Sequence, residues 1–91
     1  MNLGIKHKRV LISGGSNGIG KELALQFAKE GCKVTLISRN KNKLKNVVDK
    51  IGGKKKGHYF YNIDLLPEGN GTKISKRILN DLGVHDIIVH C

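Results

Sequence analysis

The segment Ser13-Gly-Gly-Ser-Asn-Gly-Ile-Gly20 concentrates the chemistry of this 91-residue chain. Gly14 can take backbone angles closed to other residues and turns the chain sharply. Gly18 has no side chain, so a phosphate can approach the backbone. Gly20 lets a following helix pack closely on a sheet. A helix opening here offers free N–H groups and a partial positive charge, so the expected ligand is an anion. Three spacings compete. G-x-G-x-x-G does not fit. The phosphate-loop pattern G-x-x-x-x-G-K-[ST] is in register at Gly15, Gly20 and Lys21. It then meets Glu22 where a hydroxyl should hold magnesium, and a carboxylate there also repels a triphosphate. The spacing T/S-G-x-x-x-G-I-G fits at Ser13, Gly14, Gly18, Ile19 and Gly20.

Such a turn needs a strand before it and a helix after it. Arg9–Ser13 is a short apolar run ending at the glycines, and it reads as a buried strand. From Gly18 the period becomes helical. Ile19, Leu23, Phe27, Ala24 and Ala28 share one face, polar residues take the other, and Gly31 sits where a left-handed cap is wanted. Lys33–Ser38 is a second strand, rich in β-branched residues. Asn40 is a good N-cap for a helix carrying Leu44, Val47, Val48 and Ile51, which Gly52 and Gly53 stop. His58–Ile63 is a third strand. Pro67 and Gly69-Asn-Gly71 mark a turn. Ile74, Ile78, Leu79 and Leu82 form a third helical stripe ended by Gly83, and Asp86–His90 is a fourth strand. The order β-α-β-α-β-α-β implies an α/β fold, a doubly wound parallel sheet with helices on its faces.

Composition narrows the class. With 38% hydrophobic residues and 12 glycines the chain is globular. No apolar run approaches the ~20 residues of a membrane span, and the amino-terminal stretch lacks a signal-peptide core, so the expected location is cytoplasmic. Two cysteines, Cys32 and Cys91, form neither a disulfide framework nor a metal spacing. The net charge of +10 gathers at Lys41, Lys43, Lys45, Lys50, Lys54, Lys55 and Lys56. That field attracts anions. At 4% aromatic content a base-stacking platform is hard to build, so a solvated helix face and a charged loop are expected rather than a specific nucleic-acid site.

The motif SGGSNGIG resembles the cofactor fingerprint of the short-chain dehydrogenase/reductase family, in its compact branch. Three further segments fall at family-like positions. Ser38-Arg39 closes the second strand. An acid there would bind the ribose hydroxyls of NAD, whereas a small polar residue followed by arginine suits a 2′-phosphate. An arginine at a strand end is also a common solvated residue. Asn62-Ile-Asp64-Leu65 is similar to the pair that holds the adenine, although an aspartate there serves equally as a turn or helix cap. Asp86-Ile-Ile-Val-His-Cys91 is similar to the family's fourth strand, with His90 and Cys91 in place of two asparagines. The second of those positions lines the cofactor cleft, which puts Cys91 beside the ribose. The resemblance implies a Rossmann-like domain of strand order 3-2-1-4, with residues 1–91 its amino-terminal part. It implies a cofactor set of Gly14, Ser16, Asn17, Gly18, Ile19, Gly20, Ser38, Arg39, Asp64, Leu65 and Cys91, with NADP(H) favoured over NAD(H). The expected activity is hydride transfer between NADP(H) and a carbonyl or alcohol substrate, in a homo-oligomer.

The family's proton-transfer pair is a tyrosine with a lysine four residues later. Tyr59 is followed at that offset by Ile63, and Tyr61 by Leu65. No catalytic residue is assignable, and the 91 residues alone are expected to be inactive. The apolar run Ile87-Ile88-Val89 would lie at an open sheet edge, as in a fragment of a larger domain. His7, His58 and His85 show no ligand spacing and read as surface or packing residues. The alternatives are a non-catalytic nucleotide-binding or regulatory module of the same fold, a phosphate-loop nucleotidase, or a basic nucleic-acid binder.

Overall fold

A computed structural model describes residues 4–14 and 18–91. The elements in chain order are β1 (Arg9–Ser13), α1 (Gly18–Lys29), β2 (Lys33–Ser38), α2 (Lys41–Lys50), a 3-10 turn (Lys54–Lys56), β3 (Tyr59–Asn62), α3 (Asn70–Leu82) and β4 (Ile87–His90). The strands form one parallel sheet in the order β3-β2-β1-β4. Alternation along the strands splits the apolar residues between two faces. Val10, Ile12, Val34 and Leu36 pack with Ala24 of α1 and with Leu44, Val47 and Val48 of α2. On the other face Ile37 and Tyr61 meet Ile74 and Ile78 of α3. β2 is therefore covered on both sides, and its four central residues are buried. β4 is covered on one side only. Ile87 and Val89 join the first cluster while Ile88 is 72% exposed.

The helices stop where their glycines dictate. At the end of α1, Cys32 N–H donates to Phe27 O and Gly31 N–H to Ala28 O, with Gly31 at φ +84°. At the end of α2, Gly53 N–H donates to Val48 O and Gly52 N–H to Asp49 O. Both are paired closures that satisfy orphan carbonyls and need a left-handed residue. Asn40 caps α2 as expected, accepting Lys43 N–H at 3.0 Å.

Four expectations shift. Gly69 alone supplies the left-handed turn, at φ +87°, so α3 already begins at Asn70 and the turn does not extend to Gly71. β3 and β4 are shorter than read, running Tyr59–Asn62 and Ile87–His90, with His58, Ile63 and Asp86 just outside them. Leu79 is 57% exposed because Ile74 and Ile78 already face β2 and β3. Ile19 is 75% exposed and lies off the packed face of α1.

α3 is fastened to the sheet by Tyr61. Its hydroxyl donates to Asp81 Oδ2 at 2.9 Å, and Arg77 lies 5.3 Å above the ring centre while reaching Asp81 at 3.7 Å. Burial, then the bond to Asp81, pushes the Tyr61 phenol up to about 12. Tyr61→Phe keeps the ring and loses the hydroxyl bond. It should lower the unfolding free energy by about 0.5–1.5 kcal/mol in equilibrium denaturation. An unchanged value would move the anchoring to the apolar contacts alone.

At the opposite edge His58 is buried, and its Nδ1 accepts Val34 N–H at 3.0 Å. Burial and then the Lys56 charge push its pKa down, against a bond to the Ile51 backbone. His85, beside Thr35 Oγ1 at 2.8 Å, is lowered by burial and then by Arg9. A depressed histidine binds fewer protons folded than unfolded. Its contribution is present above the ordinary value of 6.5 and is lost as pH falls below it toward the folded pKa. The denaturant midpoint should therefore drop between about pH 7.5 and about pH 5.5, and His58→Gln should flatten that drop. An equally steep drop in the variant would refute the assignment to His58.

Candidate functional site

Parallel strands end on the same edge, and the cleft lies there. The carboxyl ends of β1, β2 and β4 and the segment after β3 enclose a cleft of about 760 Å³. Its floor is main chain. Gly14, at φ +75°, donates its N–H to Ile37 O at 2.7 Å. Cys91 N–H donates to Ser13 O at 3.1 Å, and the Ser13 hydroxyl is bonded to His90 Nδ1. A Cβ on Gly14 would stand 3.1 Å from Cys91 O, in a conformation that side chains rarely adopt. Glycine there thus closes the floor where any other residue would push β1 and β4 apart.

Beyond Gly14 the chain passes through Gly15, Ser16 and Asn17, which lie outside the described residues. It returns at Gly18, which has φ +43° and is exposed. A Cβ built there meets nothing within 4 Å. Gly20 is buried in the first turn of α1. Gly18, Ile19 and Gly20 are not among the described residues lining the cleft.

One wall is the turn after β2, where Ser38, Arg39 and Lys41 line the cleft. The turn is held from several directions. Ser38 Oγ accepts Asn40 N–H at 3.4 Å. Ser38 O accepts Ile63 N–H at 3.1 Å and Asn62 Nδ2 at 3.0 Å. Arg39 is exposed on this wall. The facing wall carries Asp64 and Leu65. Asp64 Oδ1 accepts Leu66 N–H at 3.0 Å, and its backbone O accepts Asn70 Nδ2 at 2.8 Å. Asp64 therefore does cap a turn, and it does so while lining the cleft. An exposed guanidinium and ammonium on one wall suit an anionic ligand.

Of the eleven residues expected to bind a cofactor, Gly14, Ser38, Arg39, Asp64, Leu65 and Cys91 come together in this lining; Ser16 and Asn17 fall outside the described residues, and Gly18, Ile19 and Gly20 fall outside the lining. Asn62 and His90 are the contacts that sequence reasoning did not assign. Each side chain bonds a residue at the end of another strand, and no local pattern signals that. No three His, Cys, Asp or Glu side chains are grouped as a metal ion would need, among the described residues. Tyr61 is buried and held by Asp81, with its pKa raised, which is the opposite of an activated proton donor.

Known proteins resemble this chain in sequence and fold. The family described as short chain dehydrogenase matches residues 8–91. An uncharacterized oxidoreductase of Mycobacterium bovis is 34% identical over 93 residues, covering 99% of this chain and 27% of that protein. A short chain dehydrogenase from Bacillus anthracis superposes with a TM-score of 0.84 at 32% identity, over 96% of this chain and 35% of the other. L-Sorbose reductase from Gluconobacter frateurii, solved with NADPH and L-sorbose, superposes with a TM-score of 0.81 at 28% identity, over 97% of this chain and 34% of the other. The chain thus spans between 27% and 35% of the length of these relatives. A match over nearly all of its residues, on a sheet of the same order, makes this chain a member of the short chain dehydrogenase family of oxidoreductases.

Proposed function

We propose that residues 1–91 form the amino-terminal part of one NAD(P)-binding domain, and that the cleft takes NADP(H) for hydride exchange with a small carbonyl or alcohol substrate. The observation that carries the cofactor choice is the wall made by Ser38, Arg39 and Lys41. A carboxylate at the end of β2 would repel a 2′-phosphate. Serine does not, and a guanidinium pairs with it in two-pronged geometry. The neighbour solved with NADPH supports the same choice. Open space at Gly18 and the amino end of α1 suit the pyrophosphate; Ser16, Asn17 and Ile19 are proposed with it on the family resemblance of the motif. Gly20, by its lack of a side chain, lets α1 sit close to the sheet. Asp64 and Leu65 are suited to the adenine, and Cys91 to the ribose.

When bound, the nicotinamide would supply the hydride chemistry. The residues described here bind and orient. The tyrosines have no lysine four positions later, so no proton-transfer pair is assigned within these 91 residues.

Two measurements test this on the complete protein. Gly18→Val puts a branched side chain into the space left for phosphate. Titration should show cofactor affinity falling at least about tenfold while circular dichroism is retained. Unchanged affinity would remove the glycine turn from the site. Arg39→Ala should weaken NADP(H) by roughly ten- to 150-fold, the worth of a charge-assisted hydrogen bond, and leave NAD(H) nearly unchanged. Added salt should weaken NADP(H) more than NAD(H). Equal affinities in the unmutated protein would refute the NADP(H) preference. A preference that survives in Arg39→Ala would transfer it to Lys41 and Lys43.

A further inference from the structure

We infer that Asn62 is the positioning residue for Arg39, setting the cofactor preference from the neighbouring strand without facing the cofactor itself. The inference rests on the NADP(H) reading above. Asn62 is the last residue of β3 and is exposed, and it is not among the residues lining the cleft. The parallel ladder already gives Ser38 O one donor, Ile63 N–H at 3.1 Å. The Asn62 side chain adds a second, Nδ2 at 3.0 Å, so both acceptor positions of that carbonyl are taken.

The carbonyl matters because of what it is joined to. Ser38 C=O and Arg39 N–H belong to one planar peptide unit, so fixing the oxygen fixes the plane from which Arg39 departs. On the far side, Asn40 N–H is held by Ser38 Oγ, and Asn40 Oδ1 holds Lys43 N–H. The backbone of Arg39 is thus clamped at the peptide before it and at the residue after it. Its side chain is exposed and long, and it loses rotamer freedom when it engages a phosphate. A fixed root reduces the space that the guanidinium sweeps and so the ordering it must undergo on binding. A cofactor without the 2′-phosphate gives Arg39 nothing to hold, so the effect falls on NADP(H) alone.

The experiment is a double-mutant cycle in the complete protein, reading dissociation constants for both cofactors in Asn62→Ala, Arg39→Ala and the double variant. Asn62→Leu, close to asparagine in shape and uncharged, repeats the test without leaving a gap. Asn62→Ala and Asn62→Leu should each weaken NADP(H) by about two- to tenfold, the worth of one hydrogen bond, and leave NAD(H) unchanged. In the Arg39→Ala background, Asn62→Ala should have no further effect. Equal weakening of both cofactors would show a merely structural role and overturn the inference. An unchanged NADP(H)-to-NAD(H) ratio in both single variants, or a full Asn62 effect persisting without Arg39, would overturn it too. These outcomes differ from failure of the NADP(H) reading, which appears as equal affinities in the unmutated protein and overturns both together.

Discussion

Parallel pairing is the constraint on which everything else in this molecule depends. Two parallel strands cannot be joined by a tight hairpin, so each connection must cross over the sheet and return. Here the three connections are helices, two on one face and one on the other. Every strand then ends on the same edge, and the turns that follow are brought side by side. The central strand β1 pairs with both β2 and β4, and its last residue, Ser13, stands opposite Ile37 and His90. The cleft is the space left where those ends diverge. Its floor could not be made of main chain if the residue after Ser13 carried a side chain.

The same geometry decides which charges act on the cleft. α2 starts at Lys41 on the cleft wall and runs back along the sheet for ten residues. At ~1.5 Å per residue this is about 15 Å. Screening at physiological ionic strength acts over ~8 Å. Lys54, Lys55 and Lys56 follow the far end of that helix. They add to the net charge of +10 but little to the local attraction at the cleft. Arg39 and Lys41 carry that attraction because of where the β2–α2 turn puts them.

Features with a local cause were legible in the sequence. Leu44, Val47 and Val48 are buried as their helical spacing requires, Gly31 is left-handed where a cap was wanted, and α2 ends before Gly52 and Gly53. The strand order followed from the alternation of elements and from resemblance to a known family. What was not legible depends on partners far away in the chain. Ile19 and Leu79 share the period of their helices, yet they are exposed, because periodicity tells which residues align and not how wide the opposing surface is. The bond from Asn62 to Ser38 spans 24 residues, and that from His90 to Ser13 spans 77. His58 reads in sequence as the first residue of a strand, a surface or packing residue, and only the fold shows it turned toward Val34.

The junction of β1 with β4 is closed at both ends by polar contacts. At the far end Arg9 N–H donates to Asp86 Oδ2 and Asp86 N–H donates back to Arg9 O, both at 2.9 Å. At the cleft end Ser13 meets His90 and Cys91. Arg9 with Asp86 and Ser13 with His90 are each 77 residues apart in sequence. Closing so long a loop costs entropy before any contact is gained, and contacts of that kind slow folding. The local β-α-β units can form first, but the cleft floor exists only once β4 has zipped onto β1. A ligand seated across Gly14 and Cys91 would bind that closed state and not the open one, so it would hold β4 against β1 by mass action. In this arrangement occupancy and the pairing of β4 with β1 are one equilibrium.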